Sequence, residues 1–326
     1  MIVQIRMDPL SSVLALLKPR SYTCGGFDLA GGWCLQFGPY DGIKCYTLMS
    51  GQCWISMEGL ANPVQITKGD CFLLTSGWPF RVASDLSIQP VDISAASGFP
   101  LQGGIATYNG GGECVGLGGH FGISGDASIL LGLLPPIVHL SKESHRAAMR
   151  SSLEGMMEEL RDPQPGGSII AQHLAYTMLV QALRLHVAES ANNTVGWLFA
   201  LADPQMSKAM NCIHGDPAHR WTLQELAEHA GMSRSGFALR FKEVVGTSPL
   251  EYLTRWRMLQ AADKLTNSAD SLAKVAASIG YESESTFSIA FKRVMGCSPR
   301  QYSRNRNSAS SDRTDKADQW ETVAAV

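Results

Sequence analysis

Two periodicities divide this chain. From about residue 20 to about residue 125, apolar residues come in short alternating runs separated by glycine. Ile43-Lys44-Cys45-Tyr46-Thr47-Leu48-Met49 leads into Ser50-Gly51, and Cys53-Trp54-Ile55-Ser56-Met57 follows before Glu58-Gly59. That pattern predicts a β-hairpin with a glycine-containing turn. Val64-Gln65-Ile66 precedes a turn at Lys68-Gly69-Asp70, and Cys71-Phe72-Leu73-Leu74 reads as a buried strand. Many short strands with Gly and Pro turns predict a sandwich or small barrel. From residue 141 the period becomes helical. Met149, Leu153, Met156, Met157 and Leu160 predict one helix, and Pro163–Gly167 breaks it. A second helix follows over Ser168–Glu189. Its apolar face (Ile169, Ile170, Leu174, Met178, Leu179, Leu183, Leu185) is broad enough for more than one neighbour. A second copy of the chain and the chain's own barrel are both open as its cover. Asp8-Pro9-Leu10 has the form of a helix start, with Asp as N-cap and Pro at the first helical position. Residues 197–306 read as all-helical, and residues 307–326 as a polar, disordered tail.

The helical part contains an internal repeat. Leu223, Leu226-Ala227 and Gly231 recur 49 residues later as Leu272, Val275-Ala276 and Gly280. Phe237, Phe241-Lys242, Gly246, Ser248-Pro249 and Tyr252 recur 50 residues later as Phe287, Phe291-Lys292, Gly296, Ser298-Pro299 and Tyr302. One residue is therefore inserted in the second turn, near Tyr281. Each copy has the chemistry of a helix-turn-helix. Thr222 caps the first helix and Glu225 completes a capping box. Ala227 lets a second helix approach closely, Gly231 frees the backbone for a tight turn, and Ser233 caps the next helix. Phe237 and Phe241, four residues apart, anchor that helix. Ser271, Ala276, Gly280, Ser283, Phe287 and Phe291 take the same places in the second copy.

With the phenylalanines inward, other positions turn outward. On the first recognition helix they are Arg234, Ser235, Ala238 and Lys242, flanked by Arg240. On the second they are Glu284, Ser285, Ser288 and Ile289, with Lys292 and Arg293 beyond. Such helices present their N-terminal residues to base edges, while Lys and Arg hold phosphates. Pro249–Leu265 predicts a connecting rod of roughly 25 Å, long enough to hold two recognition helices about one DNA turn apart, ~34 Å. The alternative is a helical bundle whose packing happens to be duplicated.

Charge favours the first reading. Residues 1–204 hold 11 Lys/Arg against 16 Asp/Glu, whereas residues 205–306 hold 14 against 9. One basic segment in a near-neutral chain points to a polyanion-binding module joined to another domain. The apolar run Val13–Leu17 is short and no small-residue cleavage site follows it, and Ile129–Leu140 is broken by Pro135-Pro136. These features predict a cytoplasmic chain with no membrane partner. None of the eight cysteines forms a C-x-x-C pair, so zinc-ribbon and thioredoxin chemistry is not indicated. Nucleophile elbow, Walker loop and HExxH are likewise not found, so neither a catalytic residue nor a cofactor is assigned.

Trp221–Tyr302 resembles the DNA-binding domain of the AraC/XylS family. The likeness is strongest over Gly280-Tyr281-Glu282-Ser283, Phe287, Phe291-Lys292-Arg293 and Gly296-Cys297-Ser298-Pro299-Arg300-Gln301-Tyr302. It implies seven helices, two of them in successive major grooves, and an activator as the family default. Asp41-Gly42-Ile43-Lys44, Ser50-Gly51, Lys68–Leu74 and Asp126–Pro135 resemble the cupin-type sensor domains joined to some of these regulators. Where metal-binding cupins carry His-x-His, this chain has Lys44-Cys45-Tyr46, and Phe80 follows Pro79. No metal site is therefore assigned, although His120 and His139 remain open as ligands or as hydrogen-bonded structural residues.

The expected fold class is a multidomain α+β chain: an N-terminal cupin-like β-barrel with supporting helices, then an all-α tandem helix-turn-helix domain. The expected boundaries are a barrel sensor over 1–140, a helical dimerisation or linker segment over 141–196 and the DNA-binding domain over 197–306. The expected function is a sequence-specific transcriptional regulator, activating in response to an unknown small-molecule effector. Its expected partners are double-stranded promoter DNA, RNA polymerase and a second copy of itself. The alternatives are a thiol sensor of oxidants or electrophiles, using Cys24, Cys45, Cys53 and Cys71, and a metal-dependent cupin enzyme fused to a regulator.

Overall fold

The computed structural model describes residues 8–17, 21–93, 101–102, 104–122, 134–190 and 196–305. They form two compact units, one of strands and two helices within residues 19–186, the other helical. The tail 307–326, the linker residues 191–195 and most of the stretch 126–135 lie outside the described residues.

The barrel unit is two facing sheets. The first contains β1 (Ser21–Leu29), β3 (Ile43–Ser50), β6 (Cys71–Leu74), β9 (Leu101–Gln102), β10 (Ile105–Tyr108), β11 (Cys114–Gly122) and β12 (Ile137–Leu140), in the order β12-β6-β3-β11-β1-β10-β9. The second contains β2 (Cys34–Phe37), β4 (Gln52–Met57), β5 (Val64–Thr67), β7 (Phe80–Ala83) and β8 (Val91–Asp92), in the order β5-β4-β7-β2-β8. The apolar halves of the alternating runs meet between the sheets: Leu48, Ile55, Ile66, Phe72 and Trp33 are among the buried core.

One local expectation is corrected here. The runs on either side of Gly51 are not a hairpin. β3 pairs with β11 and β6, while β4 pairs with β5 and β7. Gly51 is left-handed (φ +77°), and a Cβ there would press on the Glu113 carbonyl. It turns the chain at a corner where it passes from one sheet to the other, so each run satisfies its backbone with sequence-distant strands.

The turn at Lys68-Gly69-Asp70 ties this unit together. Asp70 is 2% exposed. It accepts hydrogen bonds from the Thr67 amide (2.9 Å) and hydroxyl (3.0 Å), from His139 Nε2 (3.0 Å) and from Arg146 Nη2 (2.9 Å). One carboxylate thus joins its own turn to β12 and to α2 (Glu143–Arg161). Burial alone would raise its pKa, but the bonds from Thr67, His139 and Arg146 outweigh burial and hold it below the ordinary carboxylate value. Its contribution is therefore complete above the unfolded carboxylate pKa and is lost as pH falls through the lowered folded value. Asp70→Ala is expected to cost about 1–3 kcal/mol at neutral pH. The gap from wild type in thermal melts should close as the medium is acidified; a gap that stays constant at low pH would refute this account.

The helical unit comprises α1 (Pro9–Leu17), the end of α3 (Gly167–Ser190), α4 (Trp197–Ala200), α5 (Pro204–Gly215), α6 (Leu223–Ala230), α7 (Arg234–Val245), α8 (Pro249–Asn267), α9 (Leu272–Ser278) and α10 (Glu284–Met295); residues 299–305 are also helical. The division differs from the sequence expectation at both ends of the barrel unit. The helix begun by Asp8, whose carboxylate accepts from the Ser11 amide (3.0 Å), packs on α5 and α8. Its Val13 and Leu14 are buried there. Conversely, α2 and most of α3 belong with the barrel, where Met178 meets Thr47 of β3. Among the described residues no helix is long and apolar enough to cross a membrane.

Candidate nucleic-acid interface

Local chemistry sets up both helix-turn-helix copies. Thr222 and Glu225 form the expected capping box: the Glu225 amide donates to Thr222 Oγ1 (3.2 Å) and the Thr222 amide to Glu225 Oε2 (2.8 Å). Gly231 closes α6 in the left-handed conformation (φ +69°), and Ser233 then caps α7. In the second copy Ser271 caps α9, Gly280 is left-handed (φ +83°), and Ser283 caps α10. The anchoring pairs are superimposable in their internal geometry. Phe237 and Phe241 lie 5.5 Å apart at 61°, and so do Phe287 and Phe291. All four are fully buried. The residue inserted near Tyr281 is accommodated by a ring that meets Phe287 and lies beneath the Arg257 guanidinium.

α8 is shared between the copies. Tyr252 meets Phe241 of the first (6.0 Å), while Met258, Ala261 and Ala262 join the core of the second. At its other face Tyr252 hydrogen-bonds with His214 of α5 (2.8 Å). Burial pushes the His214 pKa down to about 3, so it is neutral in the folded unit. Arg220 and Glu282 form an ion pair between the segment before the first copy and the turn of the second.

The outward positions fall as follows. Arg234, Ser235 and Lys242 on α7, and Glu284, Ser285, Ile289, Lys292 and Arg293 on α10, are exposed. Ala238 and Ser288 are half-buried on the flanks. Arg240 is also exposed, and its guanidinium reaches Asp203 (3.0 Å), which caps α5 by accepting from Gln205 and Met206. Leu239 was missed. It stands 63% exposed on α7, and the signal for it was already in the repeat, since it lies 50 residues before Ile289. The edges therefore offer cations for phosphate and hydroxyl and aliphatic groups for base edges.

In the barrel unit the two histidines left open as ligands are hydrogen-bonded, His120 to the Asp41 carbonyl and His139 to Asp70. Among the described residues no three His, Cys, Asp or Glu side chains are grouped as metal ligands would be. Lys44 occupies the place of a cupin histidine, over the Tyr40 ring (5.2 Å), with burial pulling its pKa down to about 8.

The thiol-sensor alternative finds no support. Cys45, Cys53 and Cys71 are buried, and Cys24 is half-buried. The hydrogen bond to Cys71 and burial hold the Cys45 thiol well above its ordinary pKa; contact with Cys114 and burial do the same to Cys53, and burial alone to Cys24. Sensor thiols need the opposite, a lowered pKa with solvent access.

Comparison with known proteins identifies both parts of the chain. Residues 8–188 match the family described as Cupin, and residues 226–305 match the family described as Helix-turn-helix domain. A putative AraC-like transcription regulator of Streptomyces lividans is 40% identical over 281 residues, 86% of this chain and 92% of that protein. The RCS-specific HTH-type transcriptional activator RclR of Escherichia coli (strain K12) is 31% identical over 283 residues, covering 86% and 91%. The solved DNA-binding domain of AdpA, in complex with a target DNA, is 27% identical, with 36% of this chain and 96% of that one covered and a TM-score of 0.28. The chain belongs to the AraC-like family of transcription regulators, with a cupin domain followed by a DNA-binding helix-turn-helix domain.

Proposed function

We propose that this regulator is an effector-responsive activator that grips promoter DNA with the outer edges of α7 and α10. The observation that carries this reading is the duplicated pair of exposed edges, each set by two buried phenylalanines. Arg234, Ser235, Ala238 and Lys242 of the first copy, and Glu284, Ser285, Ser288, Ile289, Lys292 and Arg293 of the second, are the proposed contacts. Arg240, flanking the first edge and half exposed beside Asp203, is a further proposed contact.

The cupin unit is the proposed receiver of a small molecule. A ligand there controls transcription only if its affinity differs between the DNA-competent and DNA-incompetent states. Ile169 and Ile170, 60% and 48% exposed on α3, support pairing of two copies through that helix. RNA polymerase is the partner implied by activation, and the cytoplasm the implied compartment. The chain is proposed to have no enzymatic activity of its own, in keeping with relatives named as regulators.

Arg234→Ala and Lys292→Ala are each expected to weaken promoter binding and to lower the slope of log K against log[salt] by about one. Gel-shift titrations across a salt series measure both. Affinity that is indifferent to salt, or variants with the wild-type slope, would contradict the assignment.

A further inference from the structure

We propose that Leu239 and Ile289 are specificity residues that read the C5-methyl groups of two thymines, one in each half of the operator. This rests on the reading of α7 and α10 as the helices that enter the duplex.

The two side chains are the most solvent-exposed large apolar groups among the described residues, at 63% and 71%. At 100° per residue, Phe237 and Phe241 define the inward direction of α7, and Leu239, midway between them in sequence, lies near the opposite pole. Ile289 has the same relation to Phe287 and Phe291. Neither can therefore have been selected for packing within its unit. One exposed aliphatic side chain is ordinary on a protein surface, but the same exposure at the equivalent place of both repeats points to a surface that covers the two alike.

Their neighbours say which surface. Four residues before and three after, α7 carries Ser235 and Lys242, and α10 carries Ser285 and Lys292. Serine, aliphatic and lysine thus recur at identical spacing on both helices, all exposed. A protein partner gives no reason for the same triad to be built twice, whereas a duplex presents near-equivalent grooves to both copies. The lysine suits a phosphate and the hydroxyl suits a polar base edge. In the major groove the group that an aliphatic side chain can cover is the thymine methyl. Cytosine at that place offers no such contact, so the aliphatic residue selects thymine.

The test uses the full-length protein and an operator isolated from a random duplex library. Single thymines are replaced by deoxyuridine, which removes the methyl and nothing else, and affinities are measured for wild type, Leu239→Ala, Ile289→Ala and Lys242→Ala. One position in each operator half is expected to lose about fourfold for wild type, the worth of one buried methyl. The loss at the first position should vanish in Leu239→Ala alone, and that at the second in Ile289→Ala alone. Lys242→Ala should bind more weakly on every sequence yet keep both deoxyuridine losses. If deoxyuridine is silent everywhere while Lys242→Ala still weakens binding, α7 remains a DNA-contacting helix and methyl readout is overturned. Losses that persist unchanged in both alanine variants also overturn it. Alanine variants that bind DNA normally but fail to activate would assign these side chains to a protein partner instead, which equally ends the proposal. A library that yields no operator, with Lys242→Ala indistinguishable from wild type, removes the underlying reading itself.

Discussion

Phe237→Ala is expected to destabilise the helical unit by about 3–5 kcal/mol, a large fraction of the ~5–15 kcal/mol that holds a typical domain together. Phe237 is 0% exposed and edge-on to Phe241, which in turn meets Tyr252 of the shared helix α8. Removing the ring leaves a void beneath the recognition helix and takes away one of its two aromatic anchors. The surrounding helices are held by their own caps and can close it only in part. Urea unfolding followed by far-ultraviolet circular dichroism should show the helical transition at clearly lower denaturant, with promoter binding lost over the same range. Phe287→Ala should do the same through the second copy. Leu239→Ala, a change of equal type on the opposite face, should leave the transition within about 0.5 kcal/mol of wild type. If the two classes of variant melted together, the inward and outward assignment of α7 would be wrong.

The two turn glycines are expected to differ although they occupy the same place in the repeat. Both are left-handed, φ +69° at Gly231 and +83° at Gly280. An alanine in that conformation costs about 1–2 kcal/mol, and this is all that Gly231→Ala should lose, because nothing lies within 4 Å of the added Cβ. At Gly280 the Cβ would press on the Ala218 carbonyl oxygen and come within 3.0 Å of Arg257 Nη2. Neither neighbour gives easily. The Arg257 guanidinium is tied to the Pro217 carbonyl (2.6 Å) and the His219 carbonyl (2.8 Å), so the whole 217–219 segment would have to move. Gly280→Ala should therefore lose its backbone cost plus the disruption of that segment, and melt well below Gly231→Ala. Equal melting temperatures for the two variants would refute the close packing at Gly280.

Much of the helical unit was legible without coordinates because its signals are local. A cap acts over three residues and a turn glycine over one. The pair of phenylalanines acts over one helical turn. Thr222, Glu225, Gly231 and Ser233, and Ser271, Gly280 and Ser283 in the second copy, could all be read from spacing. The barrel was harder to read. Alternation identified β3 and β4 as strands, yet pairing is a long-range property, and the short link at Gly51 suggested a hairpin where the chain changes sheet. Asp70 was read only as a turn residue; its bonds to His139 and Arg146 span 69 and 76 residues, beyond any local pattern. The helix at Asp8 was placed correctly as an element, but not in the unit that buries it.

The order of amino acids by itself determined the strand character of the runs around Gly51 and Gly69, the helical character from residue 141 on and the doubling of the DNA-binding module, since alternation, helix period, capping and turn chemistry depend on neighbours a few bonds away. Which unit claims α1, which sheet claims each strand and that Arg240 meets Asp203 were decided only in three dimensions. Those outcomes depend on how apolar surface and charge from distant segments are buried together, and sequence spacing carries no direct record of that.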